Sequence, residues 1–213
     1  MTLNNLNIKG EKNTMSRIIG VRDLHFAVLT KDEVGETPTW EAPVRIPSLK
    51  GIEISDSTES VTFYSDDVAE EVVSSFGGKE VEITLGKISN EVEATLTGNI
   101  YDETTGALTQ VADAKAPEVA IMFRAPKSNG KFQYCVLYKG VLTREGSSYA
   151  TKEDSVESPD VVLKGVFMPL QSNGKISMKV DTDVSGSSTL VSSWFTSVQL
   201  KETKAISRAK SEK

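Results

Sequence analysis

Apolar residues recur at every second position over much of this chain. The clearest run is Lys79 to Leu85, where Val81, Ile83 and Leu85 alternate with Glu80, Glu82 and Thr84. A period of two puts successive side chains on opposite faces of a strand. The run therefore predicts a half-buried strand with an acidic outer side. Asp23 to Leu29 predicts a strand near the start of the fold, and Val44 to Ile54 an extended segment interrupted at Pro47 and Gly51. Phe132 to Thr143 sets Phe132, Tyr134, Val136 and Tyr138 on one face. Ile176, Met178 and Val180 alternate with Ser177, Lys179 and Asp181. Val119 to Phe123 reads as a short apolar strand, Val161 to Met168 as a strand buried on much of both faces, and Thr189 to Val198 as a last strand carrying Trp194 and Phe195. Two Ser-Asn-Gly-Lys stretches, 128–131 and 172–175, supply the Asn-Gly pair that favours tight turns.

Two stretches depart from this alternation. Ser89 to Leu96 predicts a short helix, with Ser89 as its cap, Val92 and Leu96 on one face and Gly98 as its stop. Asp66 to Gly78 is ambiguous. Val68, Ala69, Val72, Val73 and Phe76 fall at helical spacing, yet Val72 to Lys79 also reads as the first arm of a hairpin into Lys79–Leu85. Residues 60–65 alternate weakly enough to form a strand. Residues 30–43, with Trp40, and 102–117 read as loops. In total the pattern predicts nine or ten strands and one clear helix, a mostly β fold.

Composition narrows the function classes. The 213 residues suffice for one domain with a substantial core, and 38% are apolar. The net charge is −6. The last fourteen residues hold five of the basic and two of the acidic groups, leaving 19 basic against 28 acidic residues, a net of −9, in residues 1–199. An acidic body argues against gripping a phosphate backbone but suits a surface past which DNA must slide. The single cysteine, Cys135, permits no intrachain disulfide and fits a reducing compartment. The N-terminus shows no apolar signal region and no apolar run approaches a membrane span, so neither secretion nor membrane insertion is expected. Residues 1–17 read as a flexible arm, of which the first fourteen are either that or an upstream extension from a mis-chosen start. Residues 18–199 read as the folded domain, and 200–213 as a charged flexible tail.

Candidate chemistry is sparse. The only histidine, His25, sits beside Phe26 on a strand and reads as structural. Cys135 lies between Tyr134 and Val136 and reads as packed rather than nucleophilic. Asp181-Thr-Asp-Val-Ser-Gly186 opens like a calcium loop, but the twelfth position is Ser192, where a bidentate Glu is required. Asp66, Asp67, Glu70 and Glu71 read as a solvated or intersubunit surface rather than catalytic carboxylates. There is no Walker-type loop, Gly-x-Gly-x-x-Gly or Cys-x-x-Cys. No catalytic residue, metal or cofactor is expected, and a β-rich chain without chemistry suggests strand edges used for association.

The order of several features resembles a family. Tyr64-Ser-Asp-Asp67 is followed by Glu71 and Ser74-Ser-Phe-Gly, then by the Glu-Val-Glu-Ile strand and a helix closing on Leu96-Thr-Gly98. With Gly20-Val-Arg-Asp-Leu, Ala125-Pro-Lys-Ser-Asn-Gly-Lys-Phe, Lys139-Gly and Trp194-Phe195, this looks like the major tail proteins of long-tailed bacteriophages and prophages of Gram-positive bacteria. The resemblance spans roughly residues 18–198. The family usually has Leu-Leu-Gly where this chain has Leu-Thr-Gly.

The resemblance implies a β-sandwich or barrel of the tail tube type with one flanking helix at about 89–97. It implies hexameric rings stacked into a tube, a virion-tail location after assembly in the host cytoplasm, and no enzymatic activity. Implied partners are further copies of the chain, a tape measure protein, a tail terminator and distal tail or baseplate proteins. DNA would pass through the lumen without specific binding. It further implies that Val68–Phe76 pairs with Lys79–Leu85 as a hairpin, preceded by a long loop to a neighbouring subunit. Glu80, Glu82 and Thr84 become candidate lumen-facing residues; Tyr64, Asp66, Asp67, Glu70 and Glu71 become candidates for the intersubunit loop. The alternative is a non-catalytic β-sandwich binding or adhesion module, immunoglobulin-like or carbohydrate-binding.

Overall fold

A computed structural model describes residues 16–65, 68–147, 149 and 159–201; at 58–65, 68–76 and 185 only the backbone is described. Eleven strands and two short helices occur among the described residues, and every strand pairing is antiparallel. The strands are β1 (Arg22–Lys31), β2 (Thr39–Trp40), β3 (Val44–Ile46), β4 (Leu49–Ser65), β5 (Val68–Leu85), β6 (Ile100–Asp102), β7 (Ala107–Thr109), β8 (Val119–Pro126), β9 (Phe132–Arg144), β10 (Val161–Phe167) and β11 (Ser177–Asp181). The helices are α1 (Asn90–Thr97) and α2 (Ser188–Ser192), the latter preceded by a 3-10 turn at Ser185–Ser187. The mostly β class read from the alternation is thus the class of the fold.

Nine strands form one sheet in the order β2-β1-β8-β9-β10-β5-β4, with β3 also on β1 and β11 also on β9. The sheet is bent over on itself. Its two ends meet where Pro47 and Ser48 join β3 to β4, and Gly86 donates to the Ser48 carbonyl at 2.8 Å. Inside the bend lies the main core, which includes Leu24, Phe26, Ile46, Val81, Ile83, Leu85, Leu137, Leu142, Leu163 and Phe167. A second core lies on the opposite side of β8 and β9 and comprises Met122, Tyr134, Val136, Tyr138, Leu170 and Trp194. Because β8 and β9 serve both cores, neither shows an exposed face over its central residues.

The bend has a local cause. Val119 pairs with Gly140 and Ile121 with Leu137, so β9 holds one residue more than β8 across this interval. That is a β-bulge at Tyr138–Lys139, and a bulge bends its strand and reverses the facing of every later side chain. Before it, Cys135 and Leu137 face the main core; after it, Leu142 does. Gly140 sits at the bend, where a Cβ would come within 2.5 Å of the Phe167 ring.

The helix α1 forms as its sequence predicts. The Ser89 hydroxyl accepts from the Val92 amide at 3.4 Å, Glu91 and Glu93 occupy the first turn, and Gly98 closes it at φ 72°. Glu93 is buried and pairs with Arg144 of β9, which pins the helix to the sheet.

Several expectations need correction, among them the loop reading of 30–43, where β1 runs to Lys31 and Thr39–Trp40 is strand β2. Val68–Phe76 and Lys79–Leu85 are not two arms of a hairpin but one strand, β5, whose partner is β4. Gly77 and Gly78 form a bulge opposite Ser57 instead of a turn, with Gly78 at φ 119°. Residues 60–65 are strand, as their alternation allows, so the long loop that the resemblance places before Val68 is not found among the described residues. Thr189–Val198 is not a strand. Side-chain hydroxyls of Ser187 and Ser192 bond to the carbonyls of Val184 and Thr189, and the amides of Trp194 and Thr196 bond three residues back. Local Ser/Thr hydrogen bonding thus satisfies this backbone without a neighbouring strand. β10 buries only Leu163 and Phe167, leaving Lys164 and Val166 exposed, since nothing among the described residues covers its outer side. Finally, residues 102–117 are not loop throughout: Ala107–Thr109 is β7, which pairs with β6 in a small hairpin around Asp102, and Asp102 accepts from Thr104 N and Thr105 Oγ1.

The loop at 170–175 is held by a buried ion cluster. Asp32 accepts from the Gln171 and Ser172 amides at 2.8 and 3.0 Å and from Lys139 Nζ at 3.0 Å. Burial pushes its carboxyl pKa upward, but these three donors outweigh burial and hold it below the ordinary 3.8. A depressed folded pKa contributes stability that is present above the unfolded value and lost as pH falls through the folded one. An Asp32→Asn variant is therefore expected to lose stability at neutral pH and to show a shallower fall below about pH 4 than the parent. Urea midpoints measured across that range check this; parallel curves for the two proteins would refute it.

Candidate functional site

The outer surface of β9, β10, β5 and β4 is the one the alternation singled out. Glu80 and Glu82 point away from the main core, while Val81, Ile83 and Leu85 are buried to 2% exposure or less. Register places Glu53 of β4 directly across from Glu82, and Ser55 across from Glu80. On the other side Lys164 stands opposite Glu82 and Val166 opposite Glu80. These side chains line an open groove of about 400 Å³, with Thr143 at its border. Three carboxylates face one ammonium there. Lys164 Nζ lies 2.8 Å from Glu145 and 3.4 Å from Glu82, and the Glu145 carboxylate holds the ammonium above its ordinary pKa. Like charges directly across a strand pair repel. Glu53 opposite Glu82 is therefore a cost to folding only partly offset by Lys164.

Thr84 shares the strand face of Glu80 and Glu82, is part-exposed as Glu82 is, and pairs with Gly51 and Val162. The structure adds Glu53 and Lys164, which sequence reasoning missed. The alternation Ile52-Glu53-Ile54-Ser55 was the available signal for Glu53, and it was masked by Gly51.

The second feature is the far half of β4 and β5. β10 pairs with β5 only from Lys79 to Leu85. From Ser57 and Gly78 outward, β4 and β5 pair only with each other, up to Ser65 opposite Val68. The two strands thus leave the sheet as a ribbon with both outer edges unpaired among the described residues. Eight residues of β4 at about 3.3 Å each make it roughly 25 Å long. Tyr64, Glu70 and Glu71 belong to this ribbon, Tyr64 opposite Ala69 and Glu71 opposite Phe63, with Glu70 the extra residue of a second bulge. Asp66 and Asp67 lie outside the described residues. The ribbon's residues and the Glu80/Glu82 face are consecutive parts of one strand, not one cluster.

The remaining candidates are structural. His25 Nδ1 lies 3.0 Å from the Asp23 carbonyl, and its ring stacks on Phe195 at 4.4 Å. Cys135 is buried, and burial pushes its thiol up to about 11, so it is protonated at neutral pH. Asp181 and Asp183, which open the calcium-loop-like stretch, both bind the buried Lys127 ammonium. Among the described residues no three His, Cys, Asp or Glu side chains are grouped to hold a metal, and no helix is long and apolar enough to cross a membrane.

The chain matches no family model and no curated protein.

Proposed function

We propose that the protein is a structural subunit that assembles with copies of itself into stacked hexameric rings, the tail tube of a long-tailed bacteriophage. The observation that carries this reading is the ribbon of β4 and β5. A two-stranded ribbon is marginal in water by itself, and its exposed backbone edges invite pairing with another chain. A protein that continues two core strands beyond its own sheet uses those edges between subunits. The resemblance of residues 18–198 to major tail proteins supports the same reading, and so does the scarcity of catalytic groups.

In this reading the acidic face of β5 lines the lumen. Repeated around every ring, Glu80 and Glu82 repel phosphates that occur about every 1.7 Å of duplex axis, so DNA slides without sticking. The purified protein is expected to form rings or tubes by negative-stain electron microscopy. A chain that remains monomeric at high concentration, or one that binds glycans as a monomer, would overturn the proposal. Glu80→Lys combined with Glu82→Lys is expected to leave tubes intact and to slow DNA ejection. Unchanged ejection kinetics would place these residues away from the lumen.

A further inference from the structure

At the corner where the two ends of the sheet meet, three arginines surround one carboxylate. Arg124 Nε lies 2.5 Å from Asp23 Oδ2, and Arg45 Nη2 lies 3.3 Å from Asp23 Oδ1. Arg124 also donates from Nη1 to the Tyr134 hydroxyl at 3.5 Å. Arg22 and Arg124 place their guanidinium groups 5.1 and 4.7 Å from the Phe132 ring centroid. The three arginines and Asp23 border an open groove of about 380 Å³ that also touches Ser48.

A bulge in β1 builds this corner. From Arg22 to His25 β1 advances three residues, while β8 advances two, from Arg124 to Met122. The extra residue turns Arg22 away from the face of Leu24, which lies in the main core, and sets it directly opposite Arg124. Asp23, within the bulge, adopts φ 56°, an uncommon backbone for a residue with a side chain, and Ser48 does the same at φ 63°.

The corner by itself is electrostatically unfavourable. Arg22 and Arg124 are like charges directly across a strand pair, an arrangement that destabilises a sheet. Three guanidinium groups share one carboxylate, so two positive charges have no counter-charge among the described residues. The excess is local, in a protein whose net charge is −6. Arg22 is exposed, and the Arg45 side chain retains 66% of its exposure, so both can meet a ligand from solvent. Backbone strain and like-charge contact are retained by a fold where a ligand relieves them.

We infer that the Arg22/Arg45/Arg124 groove binds a phosphate-type oxyanion. A phosphate group carries about −1.5 to −2 charge near neutral pH, which matches the two unbalanced guanidinium groups. Guanidinium presents paired N–H donors that fit phosphate oxygens two at a time. Stacking on Phe132 restricts Arg22 and Arg124 before binding, so less side-chain freedom is lost when the anion arrives. Arg124 is committed to Asp23 and Tyr134, which leaves Arg22 and the more loosely held Arg45 to close on the anion. The inference is independent of the self-assembly reading.

The test is a titration of the full chain with sodium phosphate at constant ionic strength, followed by amide NMR. The amides of Arg22, Asp23, Arg45, Ser48 and Arg124 are expected to shift and to saturate. Sodium chloride at the same ionic strength is expected to leave them unmoved. Arg22→Gln combined with Arg45→Gln is expected to weaken binding at least about tenfold, with the rest of the spectrum unchanged. Arg22→Lys combined with Arg45→Lys keeps the charge without the fork and is expected to fall between the parent and the glutamine variant. A short DNA duplex is the second probe. Saturation of the same amides at lower duplex than phosphate concentration assigns the phosphate to nucleic acid; a response to inorganic phosphate alone assigns it to a small free oxyanion. Shifts that never saturate, or a glutamine variant that binds as tightly as the parent, overturn the inference. So does binding that emerges only after Glu153→Gln, Asp154→Asn and Glu157→Gln, since the chain's own carboxylates would then fill the groove.

Discussion

Gly165→Ala is expected to destabilise the fold by about 3 kcal/mol or more, a large part of the ~5–15 kcal/mol that holds a domain together. Gly165 lies in the middle of β10, between Val81 on one side and Leu142 on the other. A Cβ built there would sit 2.3 Å from the Val141 carbonyl oxygen and 2.8 Å from Leu142 Cδ2. The nearest obstacle is backbone, which cannot rotate away as a side chain can. Relief would require moving β9 against β10 just beyond the bulge, where the sheet bends. The control is Gly51→Ala, where nothing lies within 4 Å of the added methyl and a change within about 0.5 kcal/mol is expected. Denaturant midpoints distinguish the two. A Gly165→Ala protein as stable as its parent would mean that β9 and β10 are not in this register.

Trp194→Ala is expected to cost about 3–5 kcal/mol. Trp194 is fully buried, and its ring meets Tyr134 edge-on at a centroid distance of 5.5 Å. It anchors a segment with little else regular to hold it: α2 has no buried residue, and beyond it Tyr138 Oη donates to the Gln199 carbonyl at 3.1 Å. Trp194 Nε1 has no hydrogen-bond partner among the described residues, so the ring contributes by packing alone. Trp194→Phe should therefore retain most of the stability, losing about 1 kcal/mol or slightly more. Hydrogen exchange would show where the loss falls, with amides of 188–200 opening first in the alanine variant. A cost below about 1 kcal/mol for Trp194→Ala would show that this segment is not part of the second core.

What could be read from the sequence was what depends on neighbours along the chain. The facing of Val81, Ile83 and Leu85 follows from alternation alone. The ends of α1 follow from Ser89 and Gly98, and the β8–β9 turn from Asn129-Gly130, with Gly130 at φ 78°. What escaped depends on partners distant in sequence. The helical spacing of Val68, Val72 and Phe76 carries no information about β4, whose 16 partners with β5 impose extension on it. The aromatic alternation of β9 is correct up to Tyr138, but one extra residue then turns Leu142 to the other side, and no local signal marks that step. The Thr189–Val198 stretch has β-forming residues but no free edge of β9 to join, because β11 and β10 occupy it. The acidic face was half legible: Glu80 and Glu82 lie on one clear strand, whereas Glu53 and Lys164 reach it only through pairing.

The unbroken passage of β4 and β5 from core to ribbon also has a mechanical meaning. A pull on the ribbon acts along the strands. It loads the β4–β5 and β5–β10 hydrogen bonds in shear, many at once, instead of peeling them apart one after another. In the proposed assembly, tension between subunits would thus be carried straight into the sheet's interior, to the rows that bury Val81 and Ile83, so that such a unit resists stretching along its strands.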